Sequence, residues 1–441
     1  MARAALGGKG SGSQLRYEVP ETTPSPYASL RLPNFGRYIV GLLCFTVAIQ
    51  IQGTVVGWQI YELTHDKLAL GLIGLAEALP FISVALYAGH VADRHDKRRV
   101  CIVALAVLLG CSVALLVLPL FVHRSQTLVV RSIYAVIVVS GFARSFLQPA
   151  RQSLGAELVP RELFANAVTW RSGTWQLASV VGPAVGGLLY ALGGARLAYA
   201  VDAALMVAGV TAISIVRHRS QTRREHTEAI GKSLLEGIRF VWHEPVILGS
   251  LTLDMLSVFF GGATALLPVF AAEILRVGPS GLGALRAAPA VGAVITSVVI
   301  AHLPPMRRTG RVLLRTVGVF GLCMMGFGLS TSFFLSLGLL ALSGAADMVS
   351  VFIRSTLLQT RTPSHMLGRV AGVNAVFVGS SNEIGAFESG AAAQLLGTVP
   401  SVVLGGVLTL VVVALTAWRL PTLRRLDRMA DSAGTQSEPS V

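Results

Sequence analysis

The sequence predicts an all-α polytopic membrane protein with twelve transmembrane helices in two six-helix bundles. Hydrophobic residues fill 53% of the 441 positions and charged ones only 13%, with mean hydropathy +0.67, against about a quarter charged in ordinary soluble domains. Apolar stretches of about 20 residues recur, each long enough as a helix to cross roughly 30 Å of hydrocarbon. Strand-like alternation is absent, so helices rather than a barrel satisfy the backbone.

Residues 1–34 are rich in Gly, Ser, Pro and Thr with scattered Arg and lack the apolar core of a signal peptide, so they read as a disordered cytoplasmic arm. Spans follow at approximately 35–63, 68–92, 98–122, 127–149, 163–191 and 196–216, forming an N-terminal bundle over 35–216. The longest polar interruption, 217–245, turns amphipathic from Ser233 to Val241 and reads as a cytoplasmic linker. Spans at 246–274, 279–302, 311–331, 333–357, 366–394 and 398–420 make a C-terminal bundle over 246–420, and 421–441 is a cytoplasmic tail.

Lys and Arg fix the expected orientation. They crowd the loops after even-numbered spans and both ends of the chain, from Arg94 to Arg99, Arg217 to Arg239, Arg307 to Arg315 and Arg419 to Arg428. The opposite loops hold only Lys67, Arg124, Arg131, Arg196 and Arg276. The positive-inside rule makes the rich side cytoplasmic, with both termini there, in the cell (inner) membrane. The +14 net charge is then a topology signal, and no nucleic-acid partner is needed to explain it.

Cys44, Cys101, Cys111 and Cys323 sit inside spans with no metal-ligand spacing, so they read as packing residues; no metal or cofactor is expected. Gly231-Lys232-Ser233 mimics the end of a phosphate loop, but position 226 is His where that loop needs Gly, and no strand precedes it. No zincin helix or nucleophile elbow appears, so the chain does not read as an enzyme.

The halves repeat. A shift of 203 residues superposes Arg151 on Arg354, Pro160 on Pro363, Gly182 on Gly385 and Gly187 on Gly390; a shift of 209 brings Pro80 onto Pro289 and Glu77 onto Arg286. Two six-span halves in parallel repeat are a transporter arrangement, with the site expected near the midplane where they meet.

Between spans 2 and 3 lies a charged hinge, Gly89-x-x-Ala92-Asp93-Arg94-x-Asp96-Lys97-Arg98-Arg99, and span 5 carries Gly182-Pro183-x-x-Gly186-Gly187. These resemble the loop 2–3 signature and the antiporter motif of the major facilitator superfamily. Thr360-Arg-Thr-Pro-Ser-His-Met-Leu-Gly-Arg369 and Lys232-Ser-Leu-Leu-Glu-Gly-Ile-Arg-Phe240 are similar to the drug/proton antiporter branch that holds the enterobactin exporter and macrolide efflux proteins. The resemblance implies alternating access, mostly for export driven by proton entry. It makes Gly89, Asp93, Arg94, Asp96 and Arg98 a conformational latch, with Asp93 facing the N-terminus of span 11 near Ser364, where a carboxylate is favoured by roughly 0.3–1 kcal/mol. The bland alternative is a solvated, positive-inside turn. Two departures stand out: Asp96 replaces the usual Gly, and the loop 8–9 counterpart Arg307-Arg-Thr-Gly-Arg311 has no Asp.

Inside the spans the informative outliers are Glu77, Arg144, Asp254, Arg286, Asp347, Arg354, Glu383 and Glu388. A central charge costs about 2.5–3.5 kcal/mol on insertion scales and is functional by default. Proton coupling needs a carboxyl that burial makes able to load and unload near neutrality. Glu77 fits best, then Glu383, Glu388 and Asp254. Each could instead be a structural ion pair, with Arg286 or Arg354 as partner, and Arg144 and Arg354 could snorkel to the nearer surface. Polar or small stripes on span 1 (Thr46, Gln50, Gly53, Thr54, Gly57, Tyr61) and span 7 suit a cavity wall or small-residue packing. Gln50, Thr54, Arg144, Arg286, Asp347 and Arg354 are the cavity candidates.

The function expected is secondary active export of a small organic molecule, of siderophore or hydrophobic drug type, by proton antiport in a monomer in the lipid bilayer. A facilitator or importer of a charged metabolite, and a membrane-embedded sensor without net transport, stay open.

Overall fold

The computed structural model describes residues 25–121, 125–217, 230–304, 306, 308–363 and 366–426. The first helices are α1 (Pro33–Thr64), α2 (Lys67–Arg94), α3 (Lys97–Val117), α4 (Gln126–Glu157) and α5 (Phe164–Ile215). Their starts follow local chemistry: Pro33 opens α1, where its missing N–H costs nothing, and Asp66, Asp96 and Ser125 cap α2, α3 and α4 by accepting first-turn N–H bonds. α5 holds two of the predicted spans, broken at Gly193-Gly194, where Gly194 takes φ 64° and ψ −164°, a conformation that only a residue without a Cβ adopts freely.

After the amphipathic α6 (Ile230–His243), α7 (Pro245–Gly261) continues through a 3₁₀ turn, the short α8 (Leu267–Val269) and a π-helical turn at Phe270–Ile274. α9 (Gly278–His302), α10 (Thr309–Leu329), α11 (Phe333–Arg361), α12 (Leu367–Leu396), α13 (Thr398–Arg419) and the short α14 (Pro421–Arg424) follow. Among the described residues ten segments are long and apolar enough to cross a membrane, and one of them, Arg161–Ile215, is the two-span α5. α12 has the length, at 30 residues, but carries Asn374, Asn382, Glu383 and Glu388 and is not among the ten.

One edge differs from expectation. Residues 25–32, assigned to the disordered arm, dock on α5: Asn166 Nδ2 and Trp170 Nε1 donate to the Pro26 carbonyl at 2.7 and 3.0 Å, and the Tyr27 and Trp170 rings stack 5.7 Å apart. Aromatic and amide partners on α5, distant in sequence, order a stretch whose composition alone looks structureless. At the other end Leu423 and Leu426 are buried, and the Leu426 carbonyl accepts from Gly310 N–H at 3.2 Å. Residues 1–24 and 427–441, the rest of the arm and tail, lie outside the described residues.

The halves meet where α2 lies on α12 and α5 on α9. Lipid supplies no hydrophobic drive between helices, so close backbone approach does the work, and small residues permit it. Gly71 and Gly74 of α2 abut the α12 backbone at Phe387, Gly390 and Glu383, and a Cβ on Gly74 would stand 2.5 Å from the Glu383 carbonyl. Gly187 of α5 packs the same way on Pro279 and Gly283 of α9. All these contacts lie at the end opposite the basic loops. Toward the basic end, Gly89 of α2, Gly173 of α5, and Gly368 and Gly372 of α12 face open space. Among the described residues the halves are therefore in close backbone contact at the end opposite the basic loops.

Candidate functional site

Between the halves lies a cavity of about 220 Å³. α1 contributes Gln52, Gly53 and Gly57, α2 Glu77, α4 Arg144, α9 Arg286, and α12 Asn382 and Glu383. Two acids and two arginines from four helices thus face one space. Arg144 Nη1 donates to Glu77 Oε1 at 3.0 Å, and its Nη2 donates to Gln52 Oε1 at 3.3 Å. Arg286 reaches across from the other half and donates to the Gly53 carbonyl at 2.8 Å. Its guanidinium fits beside Gly53 and Gly57, where a Cβ would stand 3.4 and 3.7 Å from its nitrogens. Among the described residues Arg286 makes no ion pair. A second lobe of about 180 Å³ extends into the C-terminal half behind Arg286 and Asn382, walled by Phe320, Met324 and Leu340 and closed by Asp347.

The charged outliers of the sequence therefore separate into groups. Glu77, Arg144, Arg286 and Glu383 converge on the cavity, and Asp347 lines its second lobe. Arg144 does not snorkel: it turns inward, because Glu77 and Gln52 offer it acceptors that lipid cannot. Glu77's partner is Arg144, not Arg286 or Arg354. Arg354 and Asp254 form a buried ion pair within the C-terminal half, 5% and 6% exposed, outside the cavity lining. Gln50 and Thr54 also stand outside that lining: the Gln50 Cβ packs on Gly182, and the buried Thr54 hydroxyl donates back to the Gln50 carbonyl at 3.0 Å. Glu388 is half-buried on α12, likewise outside it.

Gly182 and Gly186 of the Gly-Pro motif accept Gln50 and Ile51 of α1, while Gly187 meets α9, so one motif seals both a helix pair within a half and a contact between halves. Of the hinge, Asp96 caps α3 by accepting from Arg98 and Arg99 N–H at 2.9 and 3.3 Å. The Arg98 guanidinium donates to the Ser214 carbonyl at the end of α5, and Arg94 is exposed. The Asp93 side chain and Ser364, the two faces of the expected latch, lie outside the described residues.

Several residues escaped the sequence reading. Gln52 and Asn382 are uncharged and drew no notice. Glu273, in the π turn, accepts from Tyr61 at the end opposite the basic loops, joining α1 to the other half; π turns mark functional positions but have no sequence pattern. Asp202 sits near the start of a span, where an acid passes for an end residue. Among the described residues no cluster of His, Cys, Asp and Glu suits a metal ion.

A two-half helical bundle with a charged midplane cavity, its halves in close contact at one end, is a transporter of the major facilitator fold. Solved structures agree on the fold: a peptide transporter superposes with TM-score 0.70 at 13% identity over 89% of this chain and 95% of that one. A bacterial homologue of the iron transporter ferroportin, in an inward-facing state, superposes with TM-score 0.67 at 16% identity over 89% and 98%. Residues 24–440 match the model of the transmembrane secretion effector family, and the chain belongs to that family. It is similar to the enterobactin exporter EntS of Escherichia coli O1:K1 and of Shigella boydii serotype 18, 29% identical over 398 residues, covering 89% of this chain and 93% of each relative.

Proposed function

We propose that this protein exports small organic molecules from the cytoplasm by alternating access, in exchange for protons. The observation that carries the reading is the convergence of Glu77, Arg144, Arg286 and Glu383, two from each half, on a cavity between halves that are in close contact at the end opposite the basic loops. With the basic end cytoplasmic, this is the loading state. Charged walls next to an apolar lobe suit an amphipathic cargo, and the relatives named for enterobactin export make a siderophore or a hydrophobic drug the class to try first. Glu77 and Glu383 are the proton carriers, since both face the cavity from opposite halves and carboxyls so placed must gain or lose a proton as solvent access changes. Asp93 and the start of α12 would latch the cytoplasmic end when the cavity opens outward.

The test is efflux from a sensitised host expressing the protein, with enterobactin and a panel of hydrophobic drugs, with and without a proton uncoupler. Export that collapses with the uncoupler is expected. Accumulation inside cells would favour an importer, and binding without flux a sensor.

A further inference from the structure

α6, read from the sequence as part of a cytoplasmic linker, turns apolar residues in two opposite directions. One face docks on the C-terminal half. Phe240 and Val241 pack with Ile247 and Leu251 of α7 and with Val370 and Val373 of α12. Gly237 lets the helix approach the α12 backbone, where a Cβ would stand 3.1 Å from the Arg369 carbonyl, and Glu236 accepts from the Arg369 guanidinium. Glu244, at the joint with α7, pairs with Arg361 at the end of α11 at 3.0 Å. α6 is thereby fixed at the level where α7 and α12 begin and α11 ends, beside the basic loops.

The other face is uncovered. Leu235, Ile238 and Trp242, at i, i+3 and i+7, form one stripe that is 64%, 39% and 70% exposed. It lies on the side of the helix away from Gly237 and Phe240, so the contacts that hold α6 leave it free. Three features say what covers it. The first is depth: α7, long and apolar enough to cross the membrane, starts at Pro245, three residues after Trp242. The second is another exposed tryptophan near the same level, Trp418, two residues before Leu420, which packs on Gly249 in the first turns of α7; tryptophan concentrates at the boundary between hydrocarbon and water. The third is charge. The exposed ionisable side chains beside the stripe, Arg239 and His243, are basic, and a helix apolar on one side with basic residues on its polar margin suits a headgroup layer.

We propose that α6 is a membrane-surface helix whose Leu235, Ile238 and Trp242 stripe sinks among the acyl chains just below the headgroups of the cytoplasmic leaflet, with Arg239 drawing anionic lipids to it. A lipid surface at this depth supplies both the apolar cover and the negative charge. Through Glu236 and Gly237 the same helix holds the first turn of α12, so the leaflet sets the height of that edge of the C-terminal half.

The full-length protein in lipid nanodiscs, with neither cargo nor gradient, tests this independently of export. The fluorescence of Trp242 is taken as the difference between wild type and Trp242→Phe. It is expected to be quenched by lipids brominated high on the acyl chain and shielded from aqueous acrylamide. The same brominated chains are then supplied as a minor component on phosphatidylglycerol in place of phosphatidylcholine. Quenching should become about five-fold steeper, and Arg239→Gln should remove that preference while leaving quenching by the phosphatidylcholine form unchanged. Access of acrylamide but not of brominated lipid would place the stripe in water, and access of neither would place it against protein; either result overturns the proposal. Equal quenching by the two headgroups overturns the part given to Arg239.

Discussion

Each half of the molecule contains an arginine–carboxylate pair in its membrane-spanning region, and the two pairs differ in what surrounds them. Glu77 and Arg144 face the cavity, with 23% and 27% of their side chains exposed, and the arginine has Gln52 as an additional acceptor. The side chains of Asp254 and Arg354 are only 8% and 7% exposed, enclosed between α7 and α11. A pair beside the cavity has room to change partners; a pair enclosed by protein pays the larger desolvation penalty if either member is lost. The same residue types, each an outlier by hydropathy, thus divide by location into a pair beside the cavity and a pair enclosed by protein.

The largest effect expected from this contrast is on stability. Asp254→Asn leaves Arg354 buried without a counterion and should destabilise the protein by about 3–5 kcal/mol, seen as a large fall in the thermal-unfolding midpoint in detergent. Glu77→Gln, at the cavity, should cost no more than about 1 kcal/mol of stability, with a correspondingly small change in the midpoint, while abolishing proton-driven export. Equal destabilisation by both would erase the distinction.

Next in size is the bridge between halves. Arg286→Gln removes a charged donor from the Gly53 carbonyl, worth about 1.5–3 kcal/mol, and should lower the population sealed at the end opposite the basic loops by about ten-fold or more, measured by distance distributions between labels across that end. Arg286→Lys, too short and without the planar fork, should recover only part of it.

Smallest is the hinge. Asp96→Ala removes the cap on α3 and should cost about 1 kcal/mol of stability, with export rates nearly intact. Asp93→Asn should cut transport while leaving substrate binding in place. If Asp96→Ala also stops transport, the unusual acid of the loop belongs to the latch and not only to the helix cap.

Much of this was legible in the sequence, for physical reasons that also mark where legibility stopped. Hydrophobic length and arginine asymmetry specify the spans, since the bilayer imposes both. Glu77, Arg144, Arg286 and Glu383 announced themselves as charges in apolar runs. Their partners did not: the Glu77–Arg144 bond joins residues 67 positions apart, and only helix packing decides that Arg286 crosses to α1 while Arg354 closes on Asp254. Gln50 and Gln52 share a span, and their rotation about α1 sends one onto Gly182 and the other into the cavity.

Export of the proposed kind depends above all on proton coupling through the cavity acids. Wild-type, Glu77→Gln and Glu383→Gln proteins in liposomes, loaded with enterobactin and given an imposed pH gradient, provide the measurement. Uphill, gradient-driven flux should be present in wild type and lost in both variants, with downhill exchange of cargo retained. Full proton-driven flux in both variants would mean that neither Glu77 nor Glu383 carries the coupled proton.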